Sequence, residues 1–411
     1  MKERGKEKLY RRRLVGEVEK YLDSKEAVAI YGARQVGKTS LLRYLMENNL
    51  SEYAENTFYF DLEIRELLDM CNRGPEGVYS YLLQKGAREG ERIYLLIDEV
   101  QYMEDPAKFI KIFHDHYPNL KLIVSGSSTF EIKKKFSQSL AGRVMSFELY
   151  PLSFEEFLAF RGKKFELRGE NMKAVNEELV PLAEEYIRFG GYPRIVLERS
   201  GEKKKAYLSQ LINSYVRKDI RDIGQIRNIS GFNSLLEALA SQSGQILNVS
   251  ELSSTLDMNY RTVLEYLDLL ESTFIIKRVR PFHRNLRSEL SKNPKVFLTD
   301  TGLMHLLWLK EFPQTVLGSS FETFVFLELM KTGMRINFWR TKSRREVDFV
   351  LPEKGPYAVE AKYSFKSANM AHLNFFREKY SGEAVVVGLK GEKPGKYGKY
   401  IWELVKGLEN W

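Results

Sequence analysis

Cysteine and long apolar runs are both scarce in this sequence of 411 residues. Its one cysteine, Cys71, excludes an internal disulfide and is typical of a reducing compartment such as the cytoplasm. Apolar runs such as residues 93–97 are far shorter than the ~20 residues that a membrane helix needs. The N-terminal stretch also lacks the apolar run of a signal peptide. We therefore expect a cytoplasmic protein without a membrane partner.

Repeats and low-complexity tracts are absent as well, so length and composition bound the number of domains. At one domain per ~150 residues, the chain has room for roughly two to four domains. Hydrophobic residues make up 43% and aromatic residues 13% of it, which suffices for several cores and excludes a disordered chain. The formal net charge is +9. Such a basic surface attracts polyanions such as nucleic acid, although solvated lysines give the same total.

Short apolar runs alternate with helical stretches in the N-terminal part of the chain. Strands separated by helices are typical of an α/β fold with a parallel sheet. The runs predicted as strands are residues 27–31, 57–62, 93–97, 120–125 and 144–149.

The pattern changes further along the chain. Residues 153–221 favour helices, with an interruption at residues 190–193. Residues 230–280 favour three short helices and a strand pair, and a second α/β pattern follows from residue 294. Its predicted order is helix, three strands, helix and strand, at residues 319–331, 336–340, 346–351, 357–363, 368–380 and 384–387.

A phosphate-binding loop is predicted at residues 32–39, GARQVGKT, which fit the pattern G-x-x-x-x-G-K-[ST]. The stretch follows an apolar strand and opens a helix, so backbone N–H groups can face phosphate oxygens. In this pattern Lys38 places its charge on the β- and γ-phosphates of ATP, and the Thr39 hydroxyl ligates Mg²⁺. An ordinary glycine turn is the alternative, which the flanking strand and helix disfavour. The predicted nucleotide-binding residues of the loop are Gly32, Ala33, Arg34, Gln35, Val36, Gly37, Lys38, Thr39 and Ser40.

Two acids end the apolar strand at residues 93–97. Asp98 suits the magnesium position of a P-loop ATPase, and Glu99 could polarise the attacking water as a catalytic residue. A strand that merely ends in acids is the alternative, and the phosphate loop upstream favours the functional interpretation. Ser125 and Ser127 end the next strand, where a hydroxyl could touch the γ-phosphate or the water, or simply satisfy a turn.

These motifs carry a resemblance to a known family. The chain resembles the AAA+ ATPases of the prokaryotic, archaeal-type family that pairs this module with a C-terminal nuclease-like domain. The resemblance spans nearly the whole chain and implies a sheet with an added strand between the phosphate-loop strand and the acidic strand, followed by a helical lid. It also implies that Arg143 is an arginine finger or sensor, with a surface arginine as the alternative. The stretches that carry it are GARQVGKTSLL, LLIDEVQ, IVSGSS, LAGRVMSFELYPLSFEEF and FGGYPR.

A winged helix is predicted at residues 232–278 from the order of helix, short helix, turn, helix and hairpin. Residues 259–270 would be its recognition helix, with Asn259, Tyr260 and Arg261 exposed near the start for contact with DNA. The rest of that helix is acidic, so a protein–protein module is an open alternative.

Residues 277–295 form a basic stretch. Seven basic residues stand against Glu289, a net charge of +6, with Phe282 and His283 interleaved. The stretch could lie along a DNA backbone. A solvated linker and a clamp on acidic neighbours are the alternatives. Its basic residues are Lys277, Arg278, Arg280, Arg284, Arg287, Lys292 and Lys295.

The C-terminal α/β pattern resembles the core of PD-(D/E)XK nucleases. Glu322 falls on its first helix, Asp348 on its second strand, and Glu360 and Lys362 on its third. Because side chains alternate along a strand, Glu360 and Lys362 share a face and would meet Asp348 in a hairpin. The three carboxylates could hold Mg²⁺ or Mn²⁺ while Lys362 orients or activates water. A domain that binds without cutting is the alternative. The arginines that could instead neutralise these acids are Arg344 and Arg345.

Together these patterns predict an α/β fold in four parts. We expect a P-loop AAA+ ATPase domain at residues 1–152, a helical lid at 153–229, a winged-helix-like domain with a basic linker at 230–293, and a small α/β nuclease-like domain at 294–411. The expected function is ATP hydrolysis whose nucleotide state controls a DNA-contacting, nucleolytic C-terminal domain. The alternatives are an ATP-dependent switch that binds a protein or DNA without cutting it, and a ring-forming remodeller. A homo-oligomer is compatible with each of them.

Overall fold

The structure is a computed structural model that describes residues 8–127, 140–214, 226, 228–283, 289 and 292–409. The chain divides into two compact units. Unit 1 holds Met1–Tyr150 with Ser272–Phe274, and unit 2 holds Pro151–Glu271 with Ile275–Trp411. No helix within the described ranges is both long and apolar enough to cross a membrane.

Unit 1 is built around a parallel sheet of five strands. Its strands are β1 Ala27–Gly32, β2 Thr57–Asp61, β3 Ile93–Asp98, β4 Leu120–Gly126 and β5 Val144–Leu149. Their spatial order is β2-β3-β4-β1-β5, so β4 lies between β1 and β3 as the resemblance implies. Every residue of β1, β3 and β4 is buried, as expected where helices cover both faces of a parallel sheet. The sequence predicts all five strands, with ends that differ by at most a residue.

The described α-helices of unit 1 are α1 Arg13–Glu19, α2 Lys38–Tyr44, α3 Arg65–Arg73, α4 Pro75–Gln84 and α5 Pro106–His116. Helix α5 begins with local signals that the sequence carries. Asp105 accepts a hydrogen bond from Lys108 N as its N-cap, and Pro106 occupies its first turn.

The first part of unit 2 is helical. Its elements are α6 Phe154–Phe160, α7 Lys173–Phe189, α8 Pro193–Leu197, α9 Gly201–Ser214, α10 Ile229–Ser241, α11 Val249–Thr255, α12 Tyr260–Ser272, β6 Ile276–Val279 and β7 Lys295–Leu298. Helix α6 begins with a capping box in which the side chains of Ser153 and Glu156 accept each other's backbone N–H. The three helices α10, α11 and α12 and the first strand of the pair fall within the predicted range of 230–280, whereas the second strand, β7, lies beyond it.

A second, mixed sheet of five strands occupies the C-terminal part of unit 2. The elements of this part are α13 Thr301–Trp308, α14 Gly318–Met330, β8 Asn337–Arg340, β9 Glu346–Leu351, β10 Tyr357–Ala361, α15 Met370–Tyr380, β11 Glu383–Val387, β12 Gly398–Lys399 and α16 Ile401–Glu409. The strands lie in the order β12-β11-β10-β9-β8. The strands β8, β9 and β10 are antiparallel neighbours, whereas β10, β11 and β12 run parallel. The predicted order of helix, three strands, helix and strand, from α14 to β11, is observed.

The FGGYPR stretch has a structural explanation within unit 2. Buried Asp300, the N-cap of α13, accepts a hydrogen bond from Gly191 N at 2.7 Å. A Cβ on Gly190 would lie 2.3 Å from Asp300 Oδ1, and one on Gly302 would lie 2.0 Å from Phe189 O. The two segments therefore pack against each other only because each carries glycine at the contact.

Candidate nucleotide site and candidate acidic site

The predicted phosphate loop connects β1 to α2 at the carboxyl edge of the first sheet. A Cβ on Gly32 would lie 2.3 Å from Leu149 O on β5, so a larger residue would push these strand ends apart. Gly37 has a φ of 102°, in the left-handed region that favours glycine, and it turns the chain into α2. The local backbone therefore requires both glycines of the motif.

Lys38 begins α2 and is only 5% exposed. Its amine donates hydrogen bonds of 3.1 Å to Gly32 O and to Ala33 O. The charge is thereby held inside the curl of the loop. The other predicted loop residues differ in burial: Ala33 and Val36 are buried, Arg34 is half-buried, and Gln35 and Ser40 are exposed.

Asp98 ends β3 and lies, 2% exposed, beside the start of α2. Its Oδ2 accepts hydrogen bonds from Thr39 Oγ1 at 2.6 Å and from the Tyr59 hydroxyl at 3.0 Å. Its Oδ1 accepts from the Ser125 hydroxyl at the end of β4 and from Glu99 N. Thr39, Asp98 and Ser125 therefore meet where the parallel strands end.

Tyr59 belongs to this cluster but was not among the predicted residues. Burial, together with the charge of Asp98, raises the pKa of its phenol, so the hydroxyl stays protonated and donates to Asp98. The sequence does hold a signal for it. Along β2 the polar side chains of Thr57, Tyr59 and Asp61 share one face of the strand.

Glu99 follows in the left-handed region, with φ of 58° and ψ of 46°. Its carboxylate accepts a hydrogen bond from Gln101 Nε2. Gln101 Oε1 in turn accepts from Ser127 N at 3.1 Å. The predicted Glu99 and Ser127 are thus joined through Gln101, the last residue of the LLIDEVQ stretch, to which the sequence analysis assigned no role.

Arg12 is a second residue that the sequence analysis missed. Its side chain is buried, and it donates hydrogen bonds of 2.8 Å to Val36 O in the phosphate loop and to Tyr150 O after β5. The guanidinium therefore fixes the outer part of the loop. Nothing local to an arginine before α1 predicts a contact across so many residues.

Arg143 lies at the opposite edge of the sheet from the phosphate loop. The next residue, Val144, pairs with Ala27 at the start of β1, whereas the loop follows Gly32 at its end. A strand of this length separates the two edges by roughly 15–20 Å. The Arg143 guanidinium donates to Asp115 Oδ1 at 2.9 Å and to Oδ2 at 3.2 Å, which lowers the pKa of Asp115. Arg143 does not join the nucleotide site of its own subunit, so an arginine-finger role stays a prediction that requires a second subunit.

In unit 2, Asp348, Glu360 and Lys362 meet on the adjacent antiparallel strands β9 and β10 and just after β10. Lys362 Nζ lies 3.1 Å from Asp348 Oδ2 and 2.8 Å from Glu360 Oε1. Asp348 also accepts a hydrogen bond of 2.8 Å from Ala361 N, and both carboxylates are buried. The hairpin therefore brings three of the four predicted residues into direct contact.

Glu322, the fourth predicted residue, is held on α14 by a different lysine. Lys295 Nζ of β7 lies 3.0 Å from Glu322 Oε1 and 2.7 Å from Glu346 Oε1. Burial, and next the charge of Asp348, raise the pKa of Glu322 to about 7. The same two causes raise the pKa of Glu360 to about 7.

Lysines, rather than Arg344 and Arg345, neutralise this acidic cluster. Neither Arg344 nor Arg345 forms an ion pair with these acids in the part of the chain that the structure describes. Arg345 instead lies over the ring of Phe375, 4.1 Å from its centroid. Lys295 is only 3% exposed. Its buried ammonium group supplies the positive charge that the buried carboxylates need. Lys295 is therefore a clamp on acidic neighbours, one of the alternatives that the sequence left open, and its contact with DNA stays untested.

The predicted metal set at this site is not assembled. Among the residues described here, no group of three or more His, Cys, Asp or Glu side chains is arranged to hold a metal ion. Two ammonium groups lie among the carboxylates instead. Glu360 Oε2 is nevertheless buried without a hydrogen-bond partner in the described structure. This oxygen is one donor that a cation could still take.

Two of the basic residues at 277–295 form ion pairs with acidic neighbours. Arg278 lies 2.7 Å from Asp268 Oδ1 and 2.5 Å from Glu271 Oε2. Arg278 and Lys295 are thus clamps on acidic neighbours, the alternative that the sequence left open. Of the other basic residues in the stretch, Lys277, Arg280 and Lys292 are described, whereas Arg284 and Arg287 lie outside the described residues.

The predicted recognition helix begins as expected. Asn259 Oδ1 accepts a hydrogen bond of 2.8 Å from Arg261 N, and Arg261 Nε lies 3.4 Å from Glu265 Oε1 on the same helix. Tyr260 is 50% exposed. Contact of this helix with DNA stays a prediction.

Three family models match parts of the chain. Residues 24–158 match an AAA domain. Residues 180–315 match a domain of unknown function (DUF8612), and residues 317–405 match another domain of unknown function (DUF4143).

Similar proteins occur in bacteria and archaea. An uncharacterized protein of Haemophilus influenzae is 28% identical over 331 residues, which are 78% of this chain and 78% of that protein. The uncharacterized protein MJ1544 of Methanocaldococcus jannaschii is 24% identical over 348 residues, 83% of this chain and 75% of that protein. The uncharacterized protein Rv2008c of Mycobacterium tuberculosis is 25% identical over 363 residues, 86% and 74% of the two chains.

Two solved structures show a distant similarity to this chain. AMPPCP-bound DnaA from Aquifex aeolicus has a TM-score of 0.30 and 16% identity, and the match covers 63% of this chain and 86% of that chain. Cdc6p from Pyrobaculum aerophilum has a TM-score of 0.30 and 12% identity, with 75% and 98% covered. The AAA domain match at residues 24–158 supports ATP binding and hydrolysis as the general activity of this part of the chain.

Proposed function

We propose that unit 1 binds ATP together with Mg²⁺ and hydrolyses the nucleotide. The observation that carries this proposal is the 2.6 Å contact between Thr39 Oγ1 and Asp98 Oδ2 beside the phosphate loop. In P-loop ATPases, the hydroxyl that follows the loop lysine and an acid at a strand end are the pair that holds the metal. Here the two side chains lie side by side although they are 59 residues apart in the chain.

The donor set fits Mg²⁺. The Thr39 hydroxyl and the Asp98 carboxylate both present oxygen, which is the ligand type that Mg²⁺ prefers. When bound, Mg²⁺ would supply charge neutralisation at the phosphate oxygens.

The chain's own groups account for the other parts of the proposed reaction. Lys38 exchanges the carbonyls of Gly32 and Ala33 for oxygens of the β- and γ-phosphates, and the first N–H groups of α2 face the same oxygens. Glu99 orients the attacking water and accepts a hydrogen bond from it. Ser125 holds the Asp98 carboxylate in position.

Glu99→Gln tests this assignment. The turnover number kcat for ATP hydrolysis should fall by about 100-fold or more, because an amide polarises water far less than a carboxylate. ATP affinity should change little, since the phosphate loop is intact. Phosphate release and titration with a non-hydrolysable ATP analogue measure the two quantities. Glu104→Gln, which removes the same charge from a nearby exposed position, is the matched control. Wild-type turnover by Glu99→Gln would show that another group orients the water.

We also propose that unit 2 contacts DNA, under the control of the nucleotide state, and cuts it with Asp348, Glu360 and Lys362. The direct contact of these three side chains and the unpartnered oxygen of Glu360 support it. A switch that binds DNA or a protein without cutting is the second candidate, and the lysines that already neutralise the acids favour it. Whether or not the protein cuts DNA, we propose that unit 2 is organised as a helical lid at residues 153–229, a winged-helix-like domain at 230–293 and a nuclease-like domain at 294–411.

Salt dependence tests the DNA contact. Binding should weaken steeply with salt, because each phosphate that a basic side chain neutralises releases counterions. Reversing Arg280, Arg284 and Arg287 together to Glu should flatten the slope of log affinity against log salt by up to about three units. Fluorescence anisotropy of a labelled duplex at several salt concentrations measures the slope.

A control for this variant changes the same amount of charge elsewhere in unit 2. Lys163, Lys164 and Lys173 are exposed, so their joint reversal should leave the slope nearly as it is if the contact is specific to the basic stretch. An unchanged slope in the folded arginine variant would instead move the contact surface. The alternative contact residues are then Arg340, Lys342, Arg344 and Arg345.

A further inference from the structure

The Gln101 side chain joins two strand ends of the candidate nucleotide site. Its Nε2 donates to Glu99 Oε2, and its Oε1 accepts a hydrogen bond of 3.1 Å from Ser127 N. The first contact lies just after β3 and the second just after β4. One planar amide therefore fixes the Glu99 carboxylate relative to the end of the strand that carries Ser125.

The neighbouring glycine leaves room for this amide. A Cβ on Gly126 would lie 2.7 Å from Gln101 Oε1 and 3.1 Å from Val100 Cγ1. Gly126 is not among the residues with a positive φ, so its backbone conformation does not call for glycine. The end of the Gln101 side chain occupies the space beside Gly126, and an added Cβ would displace it.

Gln101, the hydrogen-bond partner of the Glu99 side chain, leaves the negative charge of the carboxylate in place. A lysine or arginine at this position would neutralise the carboxylate and weaken it as a hydrogen-bond acceptor. The neutral amide restrains one carboxylate oxygen and leaves Oε1 for a water molecule. The Glu99 backbone is restrained as well, since its N–H donates to Asp98 Oδ1 at 3.1 Å.

We propose that Gln101 is a positioning residue for ATP hydrolysis. It holds the Glu99 carboxylate in the orientation that faces the attacking water, and it couples that orientation to the end of β4. Gln101 itself touches neither the phosphates nor the water. This inference rests on the proposed ATPase activity of unit 1 and adds to it the means by which Glu99 is placed.

Replacing Gln101 tests the proposal. Gln101→Ala should lower kcat by about 10- to 100-fold, the cost of a misplaced catalytic group, with KM for ATP nearly unchanged because the phosphate loop is untouched. Gln101→Glu keeps the shape and the acceptor for Ser127 N but repels Glu99, so it should lose as much. In the Glu99→Gln background, Gln101→Ala should cause no further loss, since a positioning residue acts only through its partner.

Gly126→Ala supplies a matched test that leaves Gln101 in the sequence. Alone, it should lower kcat to about the level of Gln101→Ala, because the added Cβ displaces the amide. Combined with Gln101→Ala, it should have little further effect, because the space is then free. Thermal unfolding of each variant shows whether the fold is retained.

The variants distinguish a failure of the role proposed for Gln101 from a failure of the role proposed for Glu99. Wild-type kcat in Gln101→Ala alongside a large loss in Glu99→Gln would overturn the role of Gln101 and leave the ATPase proposal standing. Additive losses of Gln101→Ala with Glu99→Gln, or with Gly126→Ala, would overturn it too. Wild-type turnover by Glu99→Gln itself would instead overturn the assignment of Glu99 on which the inference rests.

Discussion

Lys38→Ala should lower the affinity for ATP by about 10- to 100-fold, because a contact between a fixed cation and phosphate oxygens is worth about 1.5–3 kcal/mol. The structure gives the reason for expecting a loss in binding. The amine is 5% exposed and already lies inside the loop, bonded to Gly32 O and Ala33 O. It therefore needs only to exchange these carbonyls for phosphate oxygens. Isothermal titration with a non-hydrolysable ATP analogue measures the change.

Two controls separate lost binding from a collapsed loop. Lys20→Ala removes an exposed amine of the same unit, which pairs with Glu17, and should bind the analogue as wild type does. Without nucleotide, the melting temperature of Lys38→Ala reports whether the two loop carbonyls tolerate the loss of their donor. A saturating analogue should stabilise wild type and Lys20→Ala far more than Lys38→Ala, since ligand binding to the folded state raises its stability. Equal affinity in wild type and Lys38→Ala would place the phosphates elsewhere.

The arrangement of the candidate nucleotide site could be predicted largely because its signals are local. A buried strand, a glycine-rich turn and a helix start follow one another within a short stretch around Lys38. The acids at Asp98 and Glu99 end a second strand, and parallel strands that end at one edge bring such residues together. The 2.6 Å contact of Thr39 with Asp98 is the physical consequence.

What the sequence did not predict depends on contacts between distant segments. Arg12 reaches Val36 O and Tyr150 O through the folded sheet, and no spacing rule connects these positions. The resemblance implied a role for Arg143 without saying from which edge of the sheet it acts. The parallel pairing of β5 with β1 shows that Arg143, just before β5, lies at the edge of the sheet opposite the loop of its own subunit.

In unit 2, strand alternation predicted the meeting of Asp348, Glu360 and Lys362 correctly, because the rule needs only that β9 and β10 be neighbours. It could not predict Lys295, which comes from β7 and is separated from β9 and β10 in the chain by two helices and the strand β8. A basic stretch and a buried counter-ion look alike in sequence. The difference is made by Glu322 and Glu346, which the fold brings to the same amine.

Two accounts of this acidic cluster therefore compete, and they predict different losses. In the first, a divalent cation binds the carboxylates, and the lysines assist cleavage. In the second, Lys295 and Lys362 neutralise the carboxylates without a metal ion, and the domain binds DNA or a protein without cutting. Under the second account, removing one carboxylate leaves a buried ammonium without its partner, which is strongly destabilising.

Under the first account, Asp348→Asn abolishes metal-dependent cleavage by the full-length protein while ATP hydrolysis and the fold are retained. The amide keeps the size of the side chain and an acceptor for Ala361 N, but it binds Mg²⁺ or Mn²⁺ poorly. Glu360→Gln should have the same effect, whereas Lys362→Ala should cut more slowly yet still bind metal. Assays with supercoiled, linear and single-stranded DNA, with and without ATP, measure cleavage, and Glu353→Gln at an exposed position is the matched control.

Calorimetric titration of the full chain with Mn²⁺ decides between the accounts, because it reads metal binding without depending on the right DNA substrate. The comparison has to be made with Asp98→Asn and with Asp348→Asn, so that heat from metal binding at the nucleotide site and heat from the acidic cluster are told apart. The cleavage account expects a binding signal that Asp348→Asn removes and Asp98→Asn leaves. If neither the titration nor any of the DNA substrates gives a signal and Asp348→Asn mainly lowers the melting temperature, the lysines are structural counter-ions. The cluster is then part of a binding domain.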